Sequence, residues 1–540
     1  MTSRWAGVVL GVVLVAAGAL RYPATQRGFL HWDEAQFLFG VEPGVLAARE
    51  AAGLTGAPRL FPEPAPFDRE RVPYWAFSAK PGYDLLVTLY GVVVGLTPAS
   101  VGWLSLAFGL GTIGLVYAVV RRVFGRDAAM ASALVLSVSS YHVFYSGSQS
   151  AVAMSAFFLM LAVLLYFKAA AAPTWWRFAL VGGCLGYAYG VHYNLLVFVL
   201  AVIGVCGLRL LFDRAPGDWS RYIVMGLAFG AVIGVFEAFY RVIIPFAYSH
   251  VPDAKGAYLA QLRYQLGFFG WTMASGVDRF SRLLIDSEGV LVCGLAVAGF
   301  VFTLIRRHVT WESGLLLLMA AAFFSSATLG AAFRTPVFPR MTVAFLPFVA
   351  IWAGVGIVQA VDLLRARGFR APGAAALALA LLVAVVGVPR AWASATLQSG
   401  HEAQARYVRE HGDGQQVSLG LPVDQYYLGA FQGTYSPPLT LEGLRELHER
   451  TGVRLLVLDY RVNVLEEWGH PLGPVLREFE HEAVPEAVIP NPIGAALVVV
   501  GEDAQSRRGL ESIRADERSA QIRIYDLRAL LDRPGSANAP

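Results

Sequence analysis

Charge is scarce in this chain. Only 15% of its 540 residues are Asp, Glu, Lys or Arg, against about 25% in an ordinary soluble domain. That scarcity excludes a soluble globular protein. Cysteine is nearly absent as well. Cys184, Cys206 and Cys293 all fall in apolar runs, which excludes a disulfide scaffold or a thiolate metal centre and leaves buried thiols in helix packing. There is no Gly-rich phosphate loop with a following Lys, and no dinucleotide fingerprint at a strand–helix junction, so no nucleotide site is indicated. The net charge of +4 is small and says little about partners; no nucleic-acid partner is expected. No internal repeat is visible.

What the chain has instead is apolar runs of membrane-crossing length. Spans are expected at roughly 5–20, 101–120, 127–145, 151–168, 176–191, 193–211, 222–244, 288–305, 312–332, 341–361 and 372–389. The segment 82–96 is shorter and is broken by Gly91 and Gly95. It reads as an in-plane or re-entrant helix. This choice places Arg121, Arg122, Arg126, Lys168, Arg177, Arg209, Arg214, Arg221, Arg306, Arg307, Arg365, Arg367 and Arg370 on the cytoplasmic side, as the positive-inside rule demands. The fold class expected is therefore a polytopic α-helical membrane protein of about eleven spans with an extracytoplasmic C-terminal α/β domain. The domains are a transmembrane part over 1–389 with a large outer loop at 21–100, an α/β domain over 390–532, and a disordered tail over 533–540. Strands are expected around Val417–Gly420, Arg454–Asp459, Ala495–Val500 and Ile522–Tyr525, with a helix from Leu441 to Arg450.

This topology gathers polar residues on the outer side. The first loop carries His31-Trp32-Asp33-Glu34-Ala35-Gln36-Phe37 and Lys80. The second loop is Ser146-Gly147-Ser148-Gln149-Ser150, rich in hydroxyls. His192 and Tyr193 lie between two spans, Glu237 and Arg241 are spaced to pair on one helix face, and Arg334 and Arg340 bracket a later turn. Lys80, Arg334 and Arg340 run against the inside bias for cations, which favours anion binding on the outer face. An acidic pair at a membrane surface is a functional candidate. A carboxylate base with several cations suits transfer of a sugar from a lipid phosphate to a hydroxyl. The cations hold the departing phosphate and the carboxylate takes the proton of the attacking hydroxyl.

The His31–Phe37 stretch resembles the acidic motif in the first outer loop of GT-C glycosyltransferases, in particular protein O-mannosyltransferases and the lipid A aminoarabinose transferase family. Ala79-Lys80-Pro81-Gly82-Tyr83-Asp84 resembles their Lys-Pro-Pro segment. Val116–Gly125 is similar to the end of their second span, and Phe338-Pro339-Arg340-Met341 through Pro347 to their late Pro-Arg-Tyr…Pro segment. Ile522–Leu527 is similar to the outer domains of such bacterial proteins. The resemblance covers most of residues 1–360. It implies an undecaprenyl- or related polyprenyl-phosphate sugar as donor, inversion at the anomeric carbon, and a lipid, glycan or protein acceptor at a bacterial-type inner membrane, among membrane lipids. Asp33 and Glu34 are then the catalytic candidates, and Lys80, Arg340, Gln149, His192, Tyr193, Glu237, Arg241 and Arg334 the substrate-binding ones. The family often has a carboxylate in the second outer loop, sometimes on a metal. Here that loop has none, so no metal ligands are assigned. A divalent ion such as Mg²⁺ or Mn²⁺ would need donor phosphate to complete its shell. Gly82 stands where the family has a second Pro.

Simpler roles remain for several of these residues. Asp33 fits the N-cap of a helix starting at Glu34, Lys80 a snorkelling side chain, Arg334 and Arg340 interfacial anchors, and Glu237–Arg241 a structural pair. Tyr426, Tyr427 and Phe431 fit either a core or a sugar-facing surface. Two rival functions remain: a lipid-linked sugar transporter or flippase, and a non-catalytic GT-C relative. One-sided polarity and the lack of inverted repeats count against transport.

Overall fold

A computed structural model describes residues 3–54, 56, 60, 80–192, 195–212, 218–238, 273–305, 309–332, 337–368, 372–430, 432–504 and 506–533. The chain begins with α1 (Ser3–Gln26), α2 (Trp32–Ala51), α3 (Pro81–Val94), α4 (Pro98–Val123), α5 (Arg126–Ser137), α6 (Ser140–Tyr145), α7 (Val152–Ala171) and α8 (Trp175–Val191). It continues with α9 (Leu196–Phe212), α10 (Asp218–Ala238), α11 (Met273–Ile305), α12 (Trp311–Ala332), α13 (Pro339–Val343), α14 (Leu346–Ala366) and α15 (Pro372–Ala395). Among the described residues, seven helices are long and apolar enough to cross a membrane, and α3 and α9 are shorter apolar helices. This is a multi-pass membrane protein.

The chain divides into two compact units. The first comprises Met1–Gln26, Pro73–Val94 and Ala99–Thr396, and the second Arg27–Val72, Gly95–Pro98 and Leu397–Pro540. The start of the first loop thus clusters with the C-terminal domain, although the sequence groups it with the membrane part.

In the helical unit, α8 packs on α7 and α10, and α14 on α5 and α11. Close approach rests on small residues, as is usual where lipid removes the hydrophobic drive between helices. A Cβ on Gly299 of α11 would collide with the Trp352 carbonyl of α14, and one on Gly356 with the Leu295 carbonyl of α11. Phe198, Phe323, Phe345 and Phe348 stack in sequence, with centroids 5.0–5.3 Å apart from Phe198 to Phe323 and Phe348, and 5.3 Å from Phe323 to Phe345.

The span expected at 127–145 is not continuous. It breaks between α5 and α6, and Arg21 explains the break. Fully buried, Arg21 donates to the Ser137 carbonyl at 2.7 Å and the Leu136 carbonyl at 3.1 Å, and its Nη2 lies 2.8 Å from His142 Nδ1. Arginine has no acceptor, so His142 Nδ1 accepts. A cation thus takes the open carbonyls at the C-terminus of α5, where the helix dipole favours it.

The second unit contains a five-stranded sheet of β1 (Gln416–Ser418), β2 (Thr434–Tyr435), β3 (Leu455–Leu458), β4 (Ala487–Pro490) and β5 (Gln521–Asp526), in the order β2-β1-β3-β5-β4. β2, β1 and β3 are parallel, and β5 is antiparallel to both β3 and β4. Every residue of β3 is buried because both faces are covered. Leu456 and Leu458 meet Leu444, Leu447 and Phe479 on one side. Leu455 and Val457 meet Ala405 and Val408 on the other. The stretch expected as a strand at Ala495–Val500 instead ends a 3-10 turn and begins the helix Leu497–Asp503. The expected tail lies outside the described residues beyond Arg533.

Candidate functional site

The acidic motif belongs to the second unit, and its local structure is built from its own residues. α2 starts at Trp32 because His31 caps it. The His31 backbone is extended and its Nδ1 accepts from the Asp33 amide at 3.3 Å. Glu34 closes the capping box, accepting from the Leu30 amide at 2.9 Å and the His31 amide at 3.4 Å. The N-cap role considered for Asp33 therefore falls to His31. Glu34, placed among the catalytic candidates, is buried and turned onto backbone amides. Asp33 is half-buried in the first turn of α2.

The C-terminal domain grips this segment. His31 Nε2 and Trp32 Nε1 both lie 3.1 Å from Oδ1 of Asp503. Since His31 Nδ1 accepts, its proton sits on Nε2 and is donated to Asp503. Oδ2 of Asp503 accepts from the Tyr460 hydroxyl at 2.6 Å, and the Arg461 guanidinium stands 3.4 Å away. Burial alone would raise the Asp503 carboxyl. The interaction with His31, the charge of Arg461 and the hydrogen bond from Tyr460 outweigh it and hold the group below the usual carboxylate range. A second grip comes from the helix Val423–Leu428. The Tyr427 hydroxyl donates to the Phe29 carbonyl at 3.2 Å, and Tyr426 packs edge-on against Phe29 at 4.7 Å. The absence of a side chain at Gly28 leaves room for the Tyr427 hydroxyl. That helix is itself fixed by buried Asp424, 2.8 Å from His401 Nδ1 and hydrogen-bonded by Ser418. Tyr426 and Tyr427 are thus packing residues, while Phe431 lies outside the described residues.

The helical unit brings together three other candidates. Lys80 precedes α3, Gln149 lies in the second loop and His192 follows α8; all three are buried. The Tyr83 hydroxyl donates to the Gln149 carbonyl at 2.7 Å, and the Tyr187 hydroxyl to the Gly82 carbonyl at 2.7 Å. Gly82 is seated on α8. A Cβ there would lie 2.8 Å from the Val191 nitrogen and 2.9 Å from the Gly190 carbonyl carbon, which is the physical reason a second Pro does not fit. Burial first, and the Lys80 charge second, hold His192 well below its ordinary pKa. It is therefore neutral near pH 7 and keeps an acceptor nitrogen beside Lys80. The second loop is held by Ser105, whose hydroxyl donates to the Ser148 carbonyl at 2.7 Å.

Arg340 opens α13, with its guanidinium 4.8 Å from the Phe338 ring centroid. Arg279, buried in α11, donates to the Val337 carbonyl at 2.8 Å and sets the approach to Arg340. α13 packs on α6 and α7, which flank the second loop. Glu237 sits in the last turn of α10, near Tyr189. Tyr193, Arg241 and Arg334 lie outside the described residues, and so does the proposed Glu237–Arg241 pair. Among the described residues no group of three or more His, Cys, Asp or Glu side chains converges to hold a metal.

Asp503 and the positioning part played by Arg279 were missed by sequence reasoning. No local signal marks them, because each acts on a segment far away in the chain.

Residues 78–240 match the dolichyl-phosphate-mannose-protein mannosyltransferase family. Among solved structures, the archaeal oligosaccharyltransferase AglB from Archaeoglobus fulgidus, in complex with an inhibitory peptide and a dolichol-phosphate, is similar with a TM-score of 0.59 at 13% identity, over 87% of this chain and 71% of that one. ArnT from Cupriavidus metallidurans, bound to undecaprenyl phosphate, is similar with a TM-score of 0.54 at 14% identity, over 99% of this chain and 100% of that one. No curated protein sequence matches. The fold is similar to those of AglB and ArnT.

Proposed function

We propose that this chain is a membrane glycosyltransferase that moves a sugar from a polyprenyl-phosphate-linked donor to a hydroxyl on a lipid, glycan or protein. The observation that carries this reading is the buried Lys80–Gln149–His192 cluster, which lies within the region matching the mannosyltransferase family. The relatives bound to dolichol-phosphate and undecaprenyl phosphate support a lipid-phosphate donor.

In this mechanism the acceptor oxygen bonds to the anomeric carbon as the bond from that carbon to the phosphate oxygen breaks. The electron pair leaves with the phosphate, and attack from the opposite side inverts the configuration. Lys80 and Arg340 hold the phosphate and stabilise the charge it gains, Arg340 with its bidentate fork. Gln149 and His192 supply further hydrogen bonds. Asp33 takes the acceptor proton, and Glu34 shapes the turn that presents it. The distribution of cations in the sequence supports an outer-side location for this chemistry, at a bacterial-type inner membrane.

The test is transfer by the purified full chain, over a panel of polyprenyl-phosphate sugars, to extracted envelope lipid, glycan and protein. Inverted product from at least one donor supports the reading. Net movement of donor across sealed vesicles without product establishes a flippase. Neither product nor movement, in a chain that still binds polyprenyl phosphate, marks a non-catalytic relative.

A further inference from the structure

A cavity of about 450 Å³ opens between the C-terminal ends of α4 and α7 and the first turn of α8, lined by Arg122, Lys168, Arg177, Trp176, Leu165 and Leu180. The Lys80–Gln149–His192 cluster lies at the other ends of α7 and α8. The 20 residues of α7 separate the two by about 30 Å, which is the thickness of a bilayer's hydrocarbon core.

Three cations share this cavity with little to neutralise them. Arg122 reaches Glu312 only at 4.0 Å, with both side chains about one-third exposed, a weak pair in solvent. Arg177 donates to the Ala172 carbonyl at 2.7 Å and lies over the Trp176 ring at 5.2 Å, which leaves its other N–H groups available. The Lys168 ammonium has no hydrogen bond or ion pair among the described residues. α8 starts here without a side-chain cap, so its first amides add positive potential. Helix-end cations and the inside bias explain each charge singly. Neither explains a cavity between them with an apolar wall of Leu165 and Leu180 beside an exposed Trp176.

The geometry points to a binding site for the anionic headgroup of a phospholipid, at the membrane face opposite the proposed glycosyl-transfer site. The phosphodiester sits among Arg122, Lys168 and Arg177, the glycerol backbone passes Trp176, and the acyl chains run along Leu165 and Leu180. This matches the basic interhelical pockets that recognise anionic lipids.

The test uses the full chain in nanodiscs of phosphatidylcholine with a minor fraction of phosphatidylglycerol, with bound lipid counted by native mass spectrometry after release. One phosphatidylglycerol should be retained in preference to phosphatidylcholine. Lys168→Gln and Trp176→Ala should each weaken retention, about fivefold for the lost cation, while Arg450→Ala should leave it unchanged. Arg122→Lys with Arg177→Lys preserves insertion charge and should still weaken retention, because the bidentate contacts go. Millimolar inorganic phosphate should not displace the lipid. Equal retention of both lipids, or wild-type retention in a correctly folded Lys168→Gln variant, overturns the site. Displacement by inorganic phosphate overturns the lipid assignment in favour of a free anion. None of these readouts depends on glycosyl transfer.

Discussion

Asp503→Ala removes the acceptor on which His31 and Trp32 converge. It leaves the Nε2–H of His31, the indole N–H of Trp32 and the Tyr460 hydroxyl without their partner, at 3.1, 3.1 and 2.6 Å respectively. Each buried donor left unsatisfied, here His31 and Tyr460, costs about 1–3 kcal/mol, and the partly exposed Trp32 less. Arg461 keeps Asp459 at 2.5 Å, so no guanidinium is stranded. The total expected is about 3–5 kcal/mol. Asp503→Asn retains one acceptor oxygen and should cost less. The assay is thermal unfolding of the full chain in detergent together with hydrogen exchange. Peptides covering residues 28–40 should exchange faster in Asp503→Ala, while β3 and β5 keep their protection. The pH dependence has a definite sign. The Asp503 carboxyl is depressed in the folded state, so its contribution is complete above the unfolded carboxylate value of about 3.9 and is lost as pH falls further through the depressed value. The Asp503 carboxylate should therefore stay ionised, and its own contribution unchanged, from pH 5 to 8. A folded Asp503→Ala variant within about 0.5 kcal/mol of wild type, with unaltered exchange over residues 28–40, would refute the reasoning.

Asp33→Asn keeps size and hydrogen bonding but not basicity, and turnover should fall by roughly 10²–10⁴-fold at unchanged thermal stability. Glu34→Gln preserves an acceptor for the capping box and should change turnover far less, whereas Glu34→Ala should lower stability by about 1 kcal/mol in the same melting assay. Lys80→Ala and Arg340→Ala should each weaken binding of polyprenyl-phosphate product by roughly 2–5 kcal/mol; indifference of both places the phosphate elsewhere. Gly82→Ala forces a methyl against the Val191 backbone and should destabilise the helical unit by about 1–3 kcal/mol, read as a lowered melting temperature.

The helices were legible because apolar runs of bilayer length have few other uses. The ends of α4, α7, α8 and α12 fall close to the runs that suggested them. The interruption between α5 and α6 was not legible, because it depends on Arg21, more than a hundred residues earlier. In the C-terminal domain, β3 and β5 announced themselves as continuous apolar or alternating runs. β2, two residues long, and β4, with alternate residues exposed, carry too little pattern. Val498, Val499 and Val500 mimic a strand in composition but fold as a helix, where all three are buried. In the candidate site, the acidic motif stood out because carboxylates are rare beside apolar spans. The division of labour within it did not. Glu34 turns back onto amides in a local capping box, but that His31 bonds Asp503 depends on a carboxylate 472 positions away, beyond the reach of any local pattern.

That separation bears on how the protein is made. The contact between His31 and Asp503 cannot form until Asp503 has left the ribosome. At about 5–20 residues per second, that is roughly half a minute to a minute and a half after His31 has emerged. During this interval the successive spans enter the membrane while the acidic motif lacks its partner. The motif is thus among the first segments synthesised and among the last to acquire its final geometry. A chain truncated anywhere before residue 503 would carry Asp33 intact and yet never assemble the grip that holds it.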